Sequence, residues 1–460
     1  MSFRKLALVI VMEIREIGGT FERVHAHSHI KGLGLEGLKA KHTADGMVGQ
    51  EEAREAAGII VRMIKEGKFS GKAVLIAGPP GSGKTAIAVA IAKELGEDVP
   101  FVPITASEIY SAEIKKTEFL TQAIRSAIGV RVREKRNVYE GKVLEVDIQT
   151  KASPWNPYMQ VPVSAKIVLA TKDEKKKLSL DEGYTRQLVQ LGIREGDIIM
   201  IDIDSGRIVR VGVAEDAIGD ETLYTEKAVP VPSGPVKKEK EFVYTLTLHQ
   251  LDLMHSRSQY SLFDIFFGGV QRKEISQDVR REVDKMVKEW IEEGRAEIIP
   301  GVLFIDEASL LDIETFAFLN RALEQELAPI IIFATNRGVT KIRGTDAVAP
   351  HGMPLDLLDR LLIIVTRKYS EDEIREILRI RAREENVKIN DEALERLVKL
   401  GAERSLRYEV QLLTPSRIIA ESEGRKEVMP EDVERASRLF VDVKASSEYL
   451  SKIEKEMLYY

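Results

Sequence analysis

Residues Gly78-Pro79-Pro80-Gly81-Ser82-Gly83-Lys84-Thr85 carry glycines, a lysine and a threonine in the spacing G-x-x-x-x-G-K-T. The glycines let successive backbone N–H groups turn toward phosphate oxygens, and a helix opening at the lysine adds the positive end of its dipole. In that chemistry Lys84 reaches the β- and γ-phosphates of ATP, or the β-phosphate of ADP, and the Thr85 hydroxyl binds Mg²⁺. A glycine-rich turn can match by chance, but the flanks argue for the phosphate loop. The apolar run Ala73–Ala77 reads as a strand before it, and Lys84–Leu95 reads as a helix after it. A second run, Val302–Glu307 (VLFIDE), is an apolar strand ending in two acids. Such a strand end brings Asp306 beside Thr85 to complete the Mg²⁺ shell, and leaves Glu307 to polarise an attacking water. An Asp-Glu strand end on its own is often structural; the phosphate loop on the same chain is what gives it a catalytic reading. A third apolar run, Ile332–Asn336, ends in a polar residue where ligands bind in parallel sheets, so Asn336 is placed to orient water or sense the γ-phosphate. Pro354–Arg360 ends in an arginine that is either a surface ion-pair residue or a finger donated across a subunit boundary.

The elements that position these groups are those of an α/β fold. Strand, loop and helix around the phosphate loop begin a parallel sheet. Thr85 and Asp306 are more than two hundred residues apart, whereas a βαβ unit needs only about thirty. The excess has to be an insertion. Between about Gly129 and Glu241 the texture changes to alternating stretches, Lys142–Ile148, Val161–Leu169 and Asp197–Val211, with a hairpin signal at Asp204-Ser205-Gly206 and one helical segment near Leu180–Leu191. This reads as an inserted small β-barrel of the OB type. Pro230–Pro235 and the following Lys/Glu run read as its exit linker. The α/β pattern resumes with a helix near Ser276–Glu293. From Ser370 onward the chain is helical, opening with the capping box Ser370-x-x-Glu373, with further starts at Asn390 and Pro430. The expected organisation is residues 1–130 and 241–366 for the two parts of the core, 131–240 for the insert, and 367–460 for a helical lid.

Composition narrows the class. The chain has 460 residues, 44% hydrophobic and 31% charged, and no cysteine, which excludes disulfides, thiolate metal sites and cysteine nucleophiles. The net charge of −6 gives no global pull toward nucleic acid. Leu6–Met12 is far too short for a membrane helix, which needs about 20 residues, and it reads as an extension ahead of Met12. A cytoplasmic protein without membrane contact is expected. Absent cysteine with abundant Glu, Lys and Arg fits a thermophilic source.

The phosphate loop, Ala26–Leu35 (AHSHIKGLGL) and Ala296–Glu307 (AEIIPGVLFIDE) resemble the RuvB-like AAA+ ATPases, the Pontin and Reptin group. So do Asn336-Arg337-Gly338, Ile342-Arg343-Gly344-Thr345, Pro350-His351-Gly352 and Ser405-Leu406-Arg407-Tyr408. The resemblance runs from about Phe21 to Leu450, lies closer to Reptin, and with the cysteine-free composition suggests an archaeal relative. It implies an AAA+ core interrupted by an OB-containing domain and followed by a helical lid. It also implies roles: Asn336 as sensor 1, Arg360 as the finger acting in trans, Arg407 as sensor 2, and His27, His29, Tyr369 and Ile377 around the adenine. Residues alone leave His25, His27 and His29 open between a solvated strand face and a weak metal site. The family's acidic motif continues as Val-His, whereas here Ala308-Ser309 follow Glu307; the Mg²⁺ and base residues are intact, so hydrolysis is expected.

Two uses of that hydrolysis follow. The first is a homohexameric ring, single or stacked in two, unwinding DNA or RNA or remodelling nucleoprotein complexes. In it the insert grips a strand through Arg131, Arg133, Lys135, Arg136 and Lys142, with Tyr139, Trp155 and Tyr158 nearby. The second is an assembly chaperone whose nucleotide state holds and releases protein clients. There is no H-E-x-x-H or G-x-S-x-G pattern for a protease, and a small-molecule kinase would leave the large insert unexplained.

Overall fold

A computed structural model describes residues 29–111, 113–152, 160–217, 228–258, 274–403, 406–441 and 446–447. Helix α1 (Glu51–Lys65) buries Ala53, Ala57, Ile60 and Val61, the i, i+4, i+7, i+8 stripe of an amphipathic helix. Strand β1 (Ala73–Ala77) is buried along its whole length and feeds through the phosphate loop into helix α2 (Lys84–Leu95). With β2 (Phe101–Thr105), β3 (Val302–Asp306), β4 (Ile330–Thr335) and β5 (Leu361–Val365) it forms a parallel sheet in the order β5-β1-β4-β3-β2. Both faces are covered. Leu75, Leu303, Ile305, Ile331 and Phe333 point into one core, and Val74, Ile76, Phe304, Ile332 and Ala334 into the other. Burial on two sides is why these strands read as unbroken apolar runs. The phosphate loop leaves β1, which has β4 on one side and β5 on the other, so ligand-binding loops gather at its carboxyl end.

The insertion grows from one long strand, Ile128–Ala152. Its first half pairs with Lys237–Thr247 and Ala296–Pro300, its middle with Asp197–Asp202, and its second half with Gln160–Ala170. The distal strands run in the order 175–180, 160–170, 128–152, 197–202, 207–214, with helix Glu182–Gln190 between the third and fourth in sequence. That order, with its helix, is consistent with the expected OB type. The distal part has its own core around Val143, Ile167, Leu169, Ile199, Ile201 and Leu188. The hairpin at Asp204–Gly206 forms as expected, with Asp202 Oδ1 accepting from Asp204 N at 2.9 Å and Gly206 at φ 70°.

The exit-linker reading is overturned. Thr171 Oγ1 donates to Gly234 O at 2.6 Å, Glu174 accepts from Val236 N at 2.7 Å, and Val236 is fully buried. The Lys/Glu run that follows is strand Lys237–Thr247, zipped against 129–139. Alternating charges suited that ladder: Lys238 and Lys240 both bind Glu140, and Lys135 faces Glu239. Cross-strand pairing of opposite charges turned what looked like a solvated tether into sheet.

The lid consists of α3 (Glu371–Glu384), α4 (Asp391–Glu403), α5 (Leu406–Ser422) and α6 (Pro430–Leu439). The capping box at Ser370 and Glu373 is formed in both directions. The lid core, built on Leu378, Leu394, Leu397, Leu412 and Leu413, also contains Glu409. Glu409 has no exposed surface, neither oxygen has a hydrogen-bond partner, and burial pushes its carboxyl up to about 8. Because the folded pKa is raised, the unfolded chain releases this proton first. Stability is therefore greatest below the unfolded value of 4.5 and is lost as pH rises toward about 8. Glu409→Gln is expected to gain on the order of 4 kcal/mol at pH 8 relative to the parent and to gain nothing at pH 4.5. Thermal melts of both proteins across that range check it; a gain that does not change with pH would refute the assignment. Among the described residues, no helix is long and apolar enough to cross a membrane.

Candidate active site

The carboxyl ends of β1, β3 and β4, the segment at 46–48 and lid helices α3 and α5 enclose a cavity of about 520 Å³. Pro80, Gly81, Ser82, Gly83, Lys84 and Thr85 line one wall. Gly81 and Gly83 have φ of 75° and 82°, the left-handed region that admits glycine without strain. Gly78 and Pro79 lie just behind: their carbonyls accept from Lys84 Nζ at 3.0 and 2.8 Å. Lys84 is thus held by the backbone of its own loop. Burial pulls its amine below the ordinary value, Arg407 adds to this, and Asp306 opposes it. The loop is braced on the end of β5. Ser82 Oγ lies 2.7 Å from Thr366 Oγ1, and a Cβ at Gly78 would come within 2.1 Å of the same atom.

Asp306 and Glu307 meet Thr85 in this cavity because β3 carries them to the same sheet edge as the phosphate loop. Glu307 adopts φ 53°, a left-handed conformation costing a non-glycine residue on the order of 1–3 kcal/mol. Its N–H donates to Asp306 Oδ1 at 2.8 Å, which holds the turn. Asn336, one residue past β4, completes this end. The Thr85 hydroxyl and Asp306 carboxylate are hard oxygen donors on one cavity, a set that fits Mg²⁺.

The other end is apolar. Ile30, Met47, Val48, Tyr369, Ile377, Ile380 and Val410 form it, with His29 and Arg381 at its edge. Burial lowers the His29 imidazole below its ordinary value, and Arg381 adds to this; a neutral ring suits a flat, neutral base. Burial, with Glu373 second, pushes the Tyr369 phenol up to about 12, so it stays protonated. The Tyr369 hydroxyl sits against Gly83, where a Cβ would be 2.4 Å away.

Of the residues singled out in the sequence, His29, Tyr369, Ile377 and Arg407 thus share the cavity with the phosphate loop. His27 lies outside the described residues. Arg360 does not reach its own chain's cavity; its guanidinium is half-exposed and pairs with Glu324 at 2.7 Å. Met47, Val48, Ile380, Arg381, Val410 and Gln411 line the site without having been noticed. A signal existed for most of them. Ile380 and Arg381 follow Ile377 at i+3 and i+4, and Val410 and Gln411 follow Arg407 likewise, the spacing of one helix face.

Comparison with known proteins extends this picture over nearly the whole chain. Residues 23–372 match the TIP49 P-loop domain and residues 377–442 match the TIP49 AAA-lid domain. The chain is 45% identical over 449 residues to "RuvB-like helicase 1" of Drosophila melanogaster, covering 96% of this chain and 98% of that protein. It is 46% identical to the protein of the same name from Drosophila pseudoobscura pseudoobscura, with the same coverage. A parallel sheet with its phosphate loop, a helical lid, and matches to both family domains lead to one assignment: the chain belongs to the TIP49 family of RuvB-like AAA+ ATPases.

Proposed function

We propose that the protein is a homohexameric AAA+ ring that couples ATP hydrolysis to unwinding of DNA or RNA, or to remodelling of nucleoprotein complexes. The observation that carries the ring is the incompleteness of the single-chain site. Lys84, Thr85, Asp306, Glu307, Asn336 and Arg407 surround one cavity, while Arg360 stands outside it on a half-exposed surface. An arginine needed for charge stabilisation then comes from a neighbour. In this reading Lys84 leaves the Gly78 and Pro79 carbonyls for the β- and γ-phosphates. Glu307 takes a proton from the attacking water, Asn336 orients that water, and Arg407 reports the bound phosphates to the lid. Thr85 and Asp306 would hold Mg²⁺, which when bound neutralises charge on the phosphates. The helicase half of the proposal is supported by the printed names of the relatives.

One observation favours the second reading, a protein-remodelling chaperone. The basic residues expected to grip a strand are largely neutralised by carboxylates of the insert and of the adjoining core. Arg136 is buried between Glu134 and Asp202, Arg131 pairs with Asp98 and Glu297, Arg133 with Glu297, and Lys142 with Asp216. Tyr139 lies under the Lys176 ammonium, 5.5 Å from its ring centre; Trp155 and Tyr158 lie outside the described residues. Steady-state ATP hydrolysis with single-stranded DNA, duplex DNA or RNA separates the two. Several-fold stimulation, lost on deleting residues 140–236, supports the motor. That deletion joins the chain at the Tyr139–Lys237 register pair and so keeps the neck ladder. A rate indifferent to every nucleic acid moves the assignment to protein clients.

A further inference from the structure

Gln50 is a polar residue with 2% exposure in the turn between the cavity and α1, and nothing in nucleotide chemistry calls for it there. Its backbone is left-handed, φ 54° and ψ 35°, and follows Gly49 at φ 59°. The side chain makes no helix cap. It reaches 317 positions along the chain to the segment joining β5 to the lid. Gln50 Nε2 donates to Arg367 O at 2.6 Å, and Arg367 N donates to Gln50 Oε1 at 3.1 Å. One side-chain amide thus satisfies both backbone groups of one residue, as a neighbouring strand would.

That residue lies in the short segment that joins β5 to the first lid helix. The Arg367 guanidinium binds Glu373 of the first lid turn at 2.7 and 2.8 Å and reaches Glu51 of the core at 3.3 Å. Glu373 is buried, closes the capping box on Ser370 at 2.7 Å, and lies so close to Gly49 that a Cβ there would be 1.9 Å from its carboxylate. Two residues beyond Arg367, Tyr369 lies on Gly83 of the phosphate loop and interacts with Gln50 itself. Ile377, Ile380 and Arg381, all in the cavity, follow Glu373 at i+4, i+7 and i+8 on the same helix face. On the other side, Gly46, Met47 and Val48 line the cavity immediately before Gly49 and Gln50. One segment, 46–50, therefore lines the cavity and holds the chain that leads into the lid.

We infer that Gln50 is a positioning residue for ATP binding: its amide fixes the direction in which the chain leaves β5, so that Tyr369 and α3 close over the base. This rests on the cavity being the nucleotide site. The groups it positions contact the base side, not the reacting phosphate, so losing them removes binding shared by ground and transition states and raises KM more than it lowers kcat. A buried amide that only satisfies the strained turn would lower stability and leave nucleotide affinity alone.

The test uses the full chain and two variants, Gln50→Ala and the near-isosteric Gln50→Met, with direct binding of fluorescent ADP, steady-state ATPase kinetics and thermal melts. Loss of the two hydrogen bonds to Arg367 is expected to raise the ADP Kd and the ATP KM by about tenfold in both variants, with kcat falling by less than about threefold. A lowered Tm with unchanged Kd and KM would make Gln50 a structural residue and overturn the inference, as would loss of folding in both variants. Failure of the parent protein to bind ADP would instead refute the nucleotide site itself.

Discussion

Glu307→Gln is expected to bind ATP within about twofold of the parent and to hydrolyse it about 10²–10⁴-fold more slowly, the span that general-base catalysis supplies. The substitution is isosteric and keeps the backbone N–H that donates to Asp306 Oδ1 at 2.8 Å, so the left-handed turn at φ 53° survives. Lys84, Thr85 and Asp306 are untouched, which preserves phosphate and Mg²⁺ binding. What is lost is a carboxylate able to accept the proton of the attacking water. Single-turnover hydrolysis alongside ADP and ATP binding measures the two effects separately. Weakened binding at an unchanged rate would mean that Glu307 holds the ligand and the base lies elsewhere, with Asp306 the nearest acid on the cavity.

Arg360→Ala is expected to keep nucleotide affinity and lose about 10³–10⁵ in turnover, the range measured for arginine fingers. The reasoning is positional. The residue lies outside its own chain's cavity, and its partner Glu324 is exposed, so that pair contributes little to folding. Its mutation therefore ought not to unfold the protein or open the pocket. If the finger serves a neighbour, specific activity of the parent falls on dilution as rings dissociate. Mixing Arg360→Ala with Glu307→Gln subunits should also restore part of the rate, because a neighbour with an intact finger can complete a site with an intact base. Turnover independent of concentration, from a protein shown to be monomeric, would sink the trans assignment.

Much of this was legible in the sequence. The phosphate loop with its flanking strand and helix, the acid-ended strand and the Ser370 capping box depend on local periodicity and on side chains within a few positions of each other. Strand Ala73–Ala77 and helix Lys84–Leu95 form with the bounds their patterns indicate. The long gap between Thr85 and Asp306 also revealed the insertion, because a βαβ unit has a known length. The Lys/Glu run at 237–241 misled for an equally local reason. By itself it is a solvated, charged segment; only the antiparallel neighbour at 135–139 makes it a strand.

The sequence by itself determined which residues could carry phosphate and proton chemistry, because types and spacing of neighbouring residues fix that. Tertiary structure alone decided which of them share a cavity. It brought the Gly46–Val48 segment, α3 and α5 around one cavity with the phosphate loop, and it left Arg360 outside that cavity, paired with Glu324. It also decided that the arginines of the insert spend their charge on carboxylates of this same chain, Arg136 on Asp202 of the insert and Arg131 on Glu297 of the core, and that Gln50 grips a backbone 317 positions away. Those pairings join segments whose separation in the chain carries no trace of their proximity, since long-range contacts are selected by the packing of whole elements and not by the residues that finally touch.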